Sequence, residues 1–161
     1  RDGWFHTGDA GYLKDSHLYL TERIKDLFKT SNGKYISPQA LETKLAIDRY
    51  IDQIAVIADE RKFVSALIVP VYGFVKDYAK EKGIAYSNMD ELLQHPKIQA
   101  LFRARIDALQ QQFAHYEQVK RFTLLTEPFS MERGELTNTL KLKRSVVAKN
   151  YKGLIDKMYE E

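Results

Sequence analysis

The sequence predicts an α+β fold, a small mostly antiparallel sheet with helices packed against it. Three observations carry that expectation. Residues 54–58 (Ile-Ala-Val-Ile-Ala) and 64–69 (Val-Ser-Ala-Leu-Ile-Val) read as strands, joined by the charged turn Asp59-Glu60-Arg61-Lys62. So short a connection makes them antiparallel, since a parallel return needs a long crossover. From Gly73 to about Gln118 the apolar residues recur at helical spacing. After that stretch comes another short strand pattern, Arg121-Phe122-Thr123-Leu124-Leu125.

The remaining elements follow in order. Residues 11–20 read as a β-hairpin with Lys14-Asp15-Ser16 at its turn, and 22–26 (Glu-Arg-Ile-Lys-Asp) as a charged link. Residues 27–30 form a short strand, and 31–34 (Ser-Asn-Gly-Lys) a turn in which Gly33 takes positive φ. Ser37 caps a helix that Pro38 opens, with Leu41, Leu45 and Ala46 on one face. In the helical stretch, Phe74, Val75, Tyr78 and Ala79 share a face that ends at Gly83. Ser87 or Asn88 caps a short helix, and Pro96 opens a long one carrying Ile98, Leu101, Phe102, Ile106, Leu109 and Phe113, which His115-Tyr116 ends. Residues 146–158 read as a terminal helix or a pair of helices.

With 161 residues, 44% of them hydrophobic and 29% charged, the chain suits one well-cored globular domain. There is no cysteine, which excludes disulfides and thiolate chemistry and is compatible with the cytosol. No apolar run reaches the roughly 18 residues of a membrane span. The net charge of +3 arises from interleaved acids and bases, which argues against nucleic acid. The densest basic cluster (Lys141, Lys143, Arg144, Lys149 and Lys152) suits a single anionic ligand better. The four histidines, His6, His17, His95 and His115, lack metal-ligand spacing, so no metal site is expected. The chain opens on Arg1-Asp2-Gly3-Trp4-Phe5 without a methionine, and the expectation is that it continues something longer.

Three stretches carry chemistry. Lys141 lies on an extended Thr-Asn-Thr segment, where a flexible cation can reach a phosphate or carboxylate; the alternative is a surface lysine on a solvated strand. Asp9 of Thr7-Gly8-Asp9 can accept two hydrogen bonds from the paired hydroxyls of a ribose, or else belongs to a simple turn. Arg23-Ile24-Lys25-Asp26 can offer donors to a nucleotide and serve as a polar hinge, or is only a solvated charge run.

Taken in sequence, three motifs resemble the adenylate-forming acyl-CoA synthetases of the AMP-binding superfamily. They are Trp-Phe-His-Thr-Gly-Asp at 4–9, then the run from Arg23 through Lys29-Thr30-Ser31 and Gly33-Lys34-Tyr35-Ile36-Ser37-Pro38 to Leu41-Glu42, and Thr137 through Lys141 to Arg144. The likeness is greatest to the C-terminal portion of the long-chain fatty-acid:CoA ligases. It implies that residues 1–24, hairpin included, end a large N-terminal AMP-binding domain. Residues 25–161 would then form a small mobile lid with a helical insertion at about 73–118. By the same resemblance Asp9 holds the ribose hydroxyls, Arg23 contacts the nucleotide, and Lys25 with Asp26 forms the hinge. Ser31, Asn32 and Gly33 face CoA during thioester formation, while Lys141 bridges the carboxylate and the α-phosphate during adenylation. Many relatives place glycine where this chain has Leu140, which implies a loop less free at that point.

The resemblance implies ATP, Mg2+ and CoA as the cofactors of the full-length enzyme, none of them held tightly by this chain alone. A fatty acid is the implied partner. A cytoplasmic location with peripheral association at the inner membrane face is expected, and the isolated chain is expected to be inactive. An aryl or medium-chain ligase, a carrier-protein loading enzyme and a non-catalytic α+β binding module remain alternatives.

Overall fold

The computed structural model describes residues 3–160, the side chain of Glu22 excepted, so the Arg1 and Asp2 part of the 1–24 segment lies outside the described residues. Strand β1 (Asp9–Lys14) pairs antiparallel with β2 (His17–Arg23). Asp15 and Ser16 turn the hairpin with φ of 50° and 63°, the left-handed pair whose twist matches the strands. The hairpin is longer than the expected 11–20. Glu22 and Arg23 finish β2 instead of forming a link, and Asp9 pairs with Arg23 across the ladder. The register slips between Ala10 and Gly11. A Cβ on Gly11 would stand 2.5 Å from the Tyr19 carbonyl oxygen, so this bulge admits only glycine. Ile24–Asp26 then forms a single 3-10 turn.

Strands β3 (Phe28–Lys29) and β4 (Tyr35–Ile36) form a second antiparallel pair, turned at Gly33 with φ 75° as expected. Helix α1 (Pro38–Leu45) begins as the sequence implies: Ser37 Oγ accepts the Ala40 amide, and Pro38 occupies the first turn. Leu41 and Leu45 are buried. Ala46 is exposed, because the helix has already ended and Ala46 is its C-cap.

The central sheet runs β5-β6-β7, with β5 (Ile51–Ile57) and β6 (Val64–Pro70) antiparallel. Strand β7 (Val119–Leu124) lies parallel to β6. Helices α2 (Tyr72–Glu81), α3 (Met89–Gln94) and α4 (Pro96–Leu109) provide the long crossover that a parallel return requires. Every residue of β6 is buried, as expected of a middle strand covered on both faces. On one face Val56, Ala66 and Ile68 pack with Leu41, Leu45, Val75, Phe102 and Ile106. On the other, Ala55, Leu67 and Val69 pack with Phe129, Val147, Ile155 and Met158, the last three from α5 (Arg144–Asn150) and α6 (Lys152–Tyr159).

The helical stretch stops at Leu109, short of the expected Gln118. The buried Gln110 turns inward and brackets β7, taking the Val119 amide at 2.8 Å and reaching the Val119 carbonyl at 3.3 Å. Phe113 still packs on the core, but from a turn, and His115 and Tyr116 lie beyond the helix. Among the described residues no helix is long and apolar enough to cross a membrane.

Candidate functional site

Lys141 stands on a small hairpin projecting between β7 and α5. Leu136 and Leu142 bridge at its base. Above them the Thr137 amide donates to the Lys141 carbonyl at 2.8 Å, and the Leu140 amide to the Thr137 carbonyl at 2.9 Å. Thr137 Oγ1 accepts the Lys141 amide at 3.0 Å and meets Thr139 Oγ1 at 3.1 Å. The Thr-Asn-Thr segment is therefore a tight turn, not extended chain. Leu140 takes φ 60° to close it, the conformation a glycine adopts freely. The Lys141 side chain is exposed, and its ammonium has no hydrogen-bond or ion-pair partner among the described residues.

Lys141 lines a cavity of about 490 Å³ together with Asp9, Leu20, Thr21, Arg23, Asp26 and Gln39. The bulge in the N-terminal hairpin brings Asp9 opposite Arg23, whose Nε lies 3.5 Å from Asp9 Oδ1. Two cations (Arg23, Lys141) and two carboxylates (Asp9, Asp26) line one concave surface, where the cations can grip phosphates and a carboxylate can accept hydroxyl hydrogens. Of the expected site residues, Asp9, Arg23, Asp26 and Lys141 come together here. Lys25 is exposed but does not line the cavity. Sequence reasoning passed over Gln39; its position just after the Ser37-Pro38 helix start was the available signal.

Ser31, Asn32 and Gly33 form a separate exposed loop outside this cavity. It is fastened to the β5–β6 turn by the Ser31 amide on the Arg61 carbonyl (3.0 Å) and Asn32 Nδ2 on the Lys62 carbonyl (3.4 Å). The expected basic cluster is also divided. Arg144 is paired with Glu42 and Lys152 with Asp156, leaving Lys141, Lys143 and Lys149 as its exposed unpaired members among the described residues.

Beneath the hairpin lies Glu135, 1% exposed and held by Arg133, Asn150 and the Ser130 amide. Burial pushes its carboxyl up, but these donors together outweigh that and hold it below the usual carboxylate value. The Arg133 guanidinium is pushed up in turn by the same pairing.

Residues 25–161 match the family model of the AMP-binding enzyme C-terminal domain. The chain belongs to that family. This AMP-binding C-terminal domain is 35% identical to "Long chain acyl-CoA synthetase 7, peroxisomal" of Arabidopsis thaliana, over 99% of this chain and 23% of the relative. It is 32% identical to the long-chain-fatty-acid–CoA ligase FadD15 of Mycobacterium tuberculosis, over 99% of this chain and 27% of the relative. The domain thus spans about a quarter of the curated relatives it matches. Among solved structures, the adenylation domain of a carboxylate reductase from Mycobacterium chelonae superposes with a TM-score of 0.78 at 25% identity, covering 99% of this chain and 24% of that one.

Proposed function

We propose that this domain is the mobile lid of an AMP-forming long-chain fatty-acid:CoA ligase, and that Lys141 is its adenylation lysine. Residues 1–24 close the large domain, Lys25 and Asp26 form the hinge, and 25–161 is the lid. In the first half-reaction a carboxylate oxygen of the fatty acid attacks the α-phosphorus of ATP. The bond to the bridging oxygen breaks and pyrophosphate leaves with the electron pair, giving the acyl-adenylate. Lys141 stands between the two approaching anions, where one charge pair at about 4 Å is worth on the order of 4 kcal/mol at an effective dielectric near 20. Asp9 accepts from the ribose hydroxyls and Arg23 donates to the nucleotide. In the second half-reaction the thiolate of CoA attacks the acyl carbonyl and AMP departs. Rotation about the hinge withdraws Lys141 and presents the Ser31–Asn32–Gly33 loop.

The observation that supports this reading is that Lys141, whose ammonium has no partner among the described residues, lines the same 490 Å³ cavity as Asp9 and Arg23. The described residues contain no group of three or more His, Cys, Asp or Glu side chains fit to hold a metal ion. Pyrophosphate release with ATP and palmitate tests the division of labour. This chain alone is expected to be inactive and to restore turnover when the large domain is supplied; turnover by this chain alone overturns the reading.

The likeness to a carboxylate-reductase adenylation domain favours a second reading, in which the acyl group passes to a carrier-protein thiol. Comparing CoA with a phosphopantetheinylated carrier as acceptor separates the two. We assign a cytoplasmic location with peripheral contact at the inner membrane face, supported by the exposed Lys143 and Lys149. Vesicle binding that depends on anionic lipid and weakens with salt tests that assignment.

A further inference from the structure

We infer that Glu135 is a positioning residue for the adenylation half-reaction, setting where the 136–142 hairpin presents Lys141 without itself touching substrate. The inference rests on the lid reading above, and the geometry argues for it from both rails of the hairpin. Glu135 is the residue from which the entering rail departs. Its carbonyl accepts the Lys143 amide at 2.7 Å, which secures the departing rail. Its own amide donates to the Ser130 carbonyl at 3.0 Å.

The side chain completes the frame. Oε2 accepts the Ser130 amide and Arg133 Nη2, both at 3.0 Å, and Oε1 accepts Arg133 Nε and Asn150 Nδ2, both at 3.1 Å. Asn150 is the last residue of α5, the helix into which the departing rail runs. One buried carboxylate therefore ties the approach to the hairpin to the helix after it, leaving the turn that carries Lys141 as a finger on a fixed base.

A carboxylate at 1% exposure needs every lone pair occupied, so a change at Glu135 moves the base of the finger. A merely structural plug would lower both half-reactions together as the domain loosened. A positioning residue lowers only the step that uses Lys141, because a displacement near 1 Å costs about 100-fold in an oriented reaction.

The test uses the full-length enzyme, with ATP–pyrophosphate exchange for adenylation and CoA transfer onto supplied acyl-adenylate for the second step. Glu135→Gln is expected to lower kcat for exchange by about 10- to 100-fold, leave the KM for ATP little changed and hold CoA transfer within about twofold. Asn150→Ala, at an exposed position, removes the Glu135 Oε1 contact and a longer one to the Arg133 carbonyl (3.5 Å), and is expected to give a milder loss of the same kind, about three- to tenfold. Should Glu135→Gln fail to fold, Asn150→Ala carries the test, and unchanged exchange in it overturns the inference. So does an equal fall of both half-reactions in either variant. Lys141→Ala, run alongside, separates the two ideas. If it spares exchange, the lid reading itself fails. If it abolishes exchange while Glu135→Gln does not split the half-reactions, only the role of Glu135 is lost.

Discussion

Arg144 and Glu42 meet as a two-pronged ion pair, with Nη1 and Nη2 each 2.6 Å from a carboxylate oxygen, across 102 residues of chain. Glu42 Oε1 also accepts the Val56 amide at 2.8 Å, and the guanidinium lies 5.4 Å from the centroid of the Phe28 ring. A single contact thus joins the first turn of α5, three residues past Lys141, to α1, to β5 and to the strand that follows the proposed hinge. The hairpin is braced on one side by this pair and on the other by Glu135.

Arg144→Lys keeps the charge but loses the planar fork. With the pair only partly exposed (31% and 15%), stability should fall by on the order of 1–2 kcal/mol in denaturant unfolding. No change would mean that the brace is redundant.

Leu140→Gly should not harm the fold. The leucine is 67% exposed, so little packing is lost, and its φ of 60° costs roughly 1 kcal/mol that glycine avoids. Glycine's added freedom in the unfolded chain offsets part of that gain. Urea unfolding should show a net stabilisation of about 0.5 kcal/mol, and a loss of 1 kcal/mol or more would contradict the assigned turn.

Stability should fall at both ends of the pH range for identifiable reasons. Glu135 has a depressed carboxyl, so its contribution is present above the ordinary value of 4.5 and is lost as pH falls through its lower folded value. Tyr72 donates to the Leu125 carbonyl at 2.9 Å and is raised from 10.0 to about 12, chiefly by burial and then by Asp52. Its contribution is intact below pH 10 and disappears between 10 and about 12. Tyr72→Phe should cost about 1 kcal/mol at neutral pH and flatten the alkaline limb. An alkaline limb as steep as in the unsubstituted chain would assign that loss to other groups.

Where a signal is local, this sequence was readable. Asp15-Ser16, Gly33, Ser37-Pro38 and Asn88 each occupy the turn or cap their chemistry suits, and residues 54–58 and 64–69 pair antiparallel as so short a turn requires. Asp9, Arg23 and Asp26 border one cavity with Lys141, which is distant from them in sequence. The misreadings have a common cause. No glycine or proline marks the end of α4; a buried glutamine reaching across to β7 sets it. Leu140 gives no local sign of positive φ, because hydrogen bonds around Thr137 impose it. Gln39 and Glu135 look like surface residues until the elements assemble around them.

The half-reactions of Lys141→Ala in the full-length enzyme test the central claim most directly. Adenylate formation, followed by ATP–pyrophosphate exchange, should fall about 100- to 1000-fold. CoA transfer onto supplied acyl-adenylate should stay within about twofold of the unsubstituted enzyme. An equal loss in both steps, or full retention of the first, would contradict the role given to Lys141.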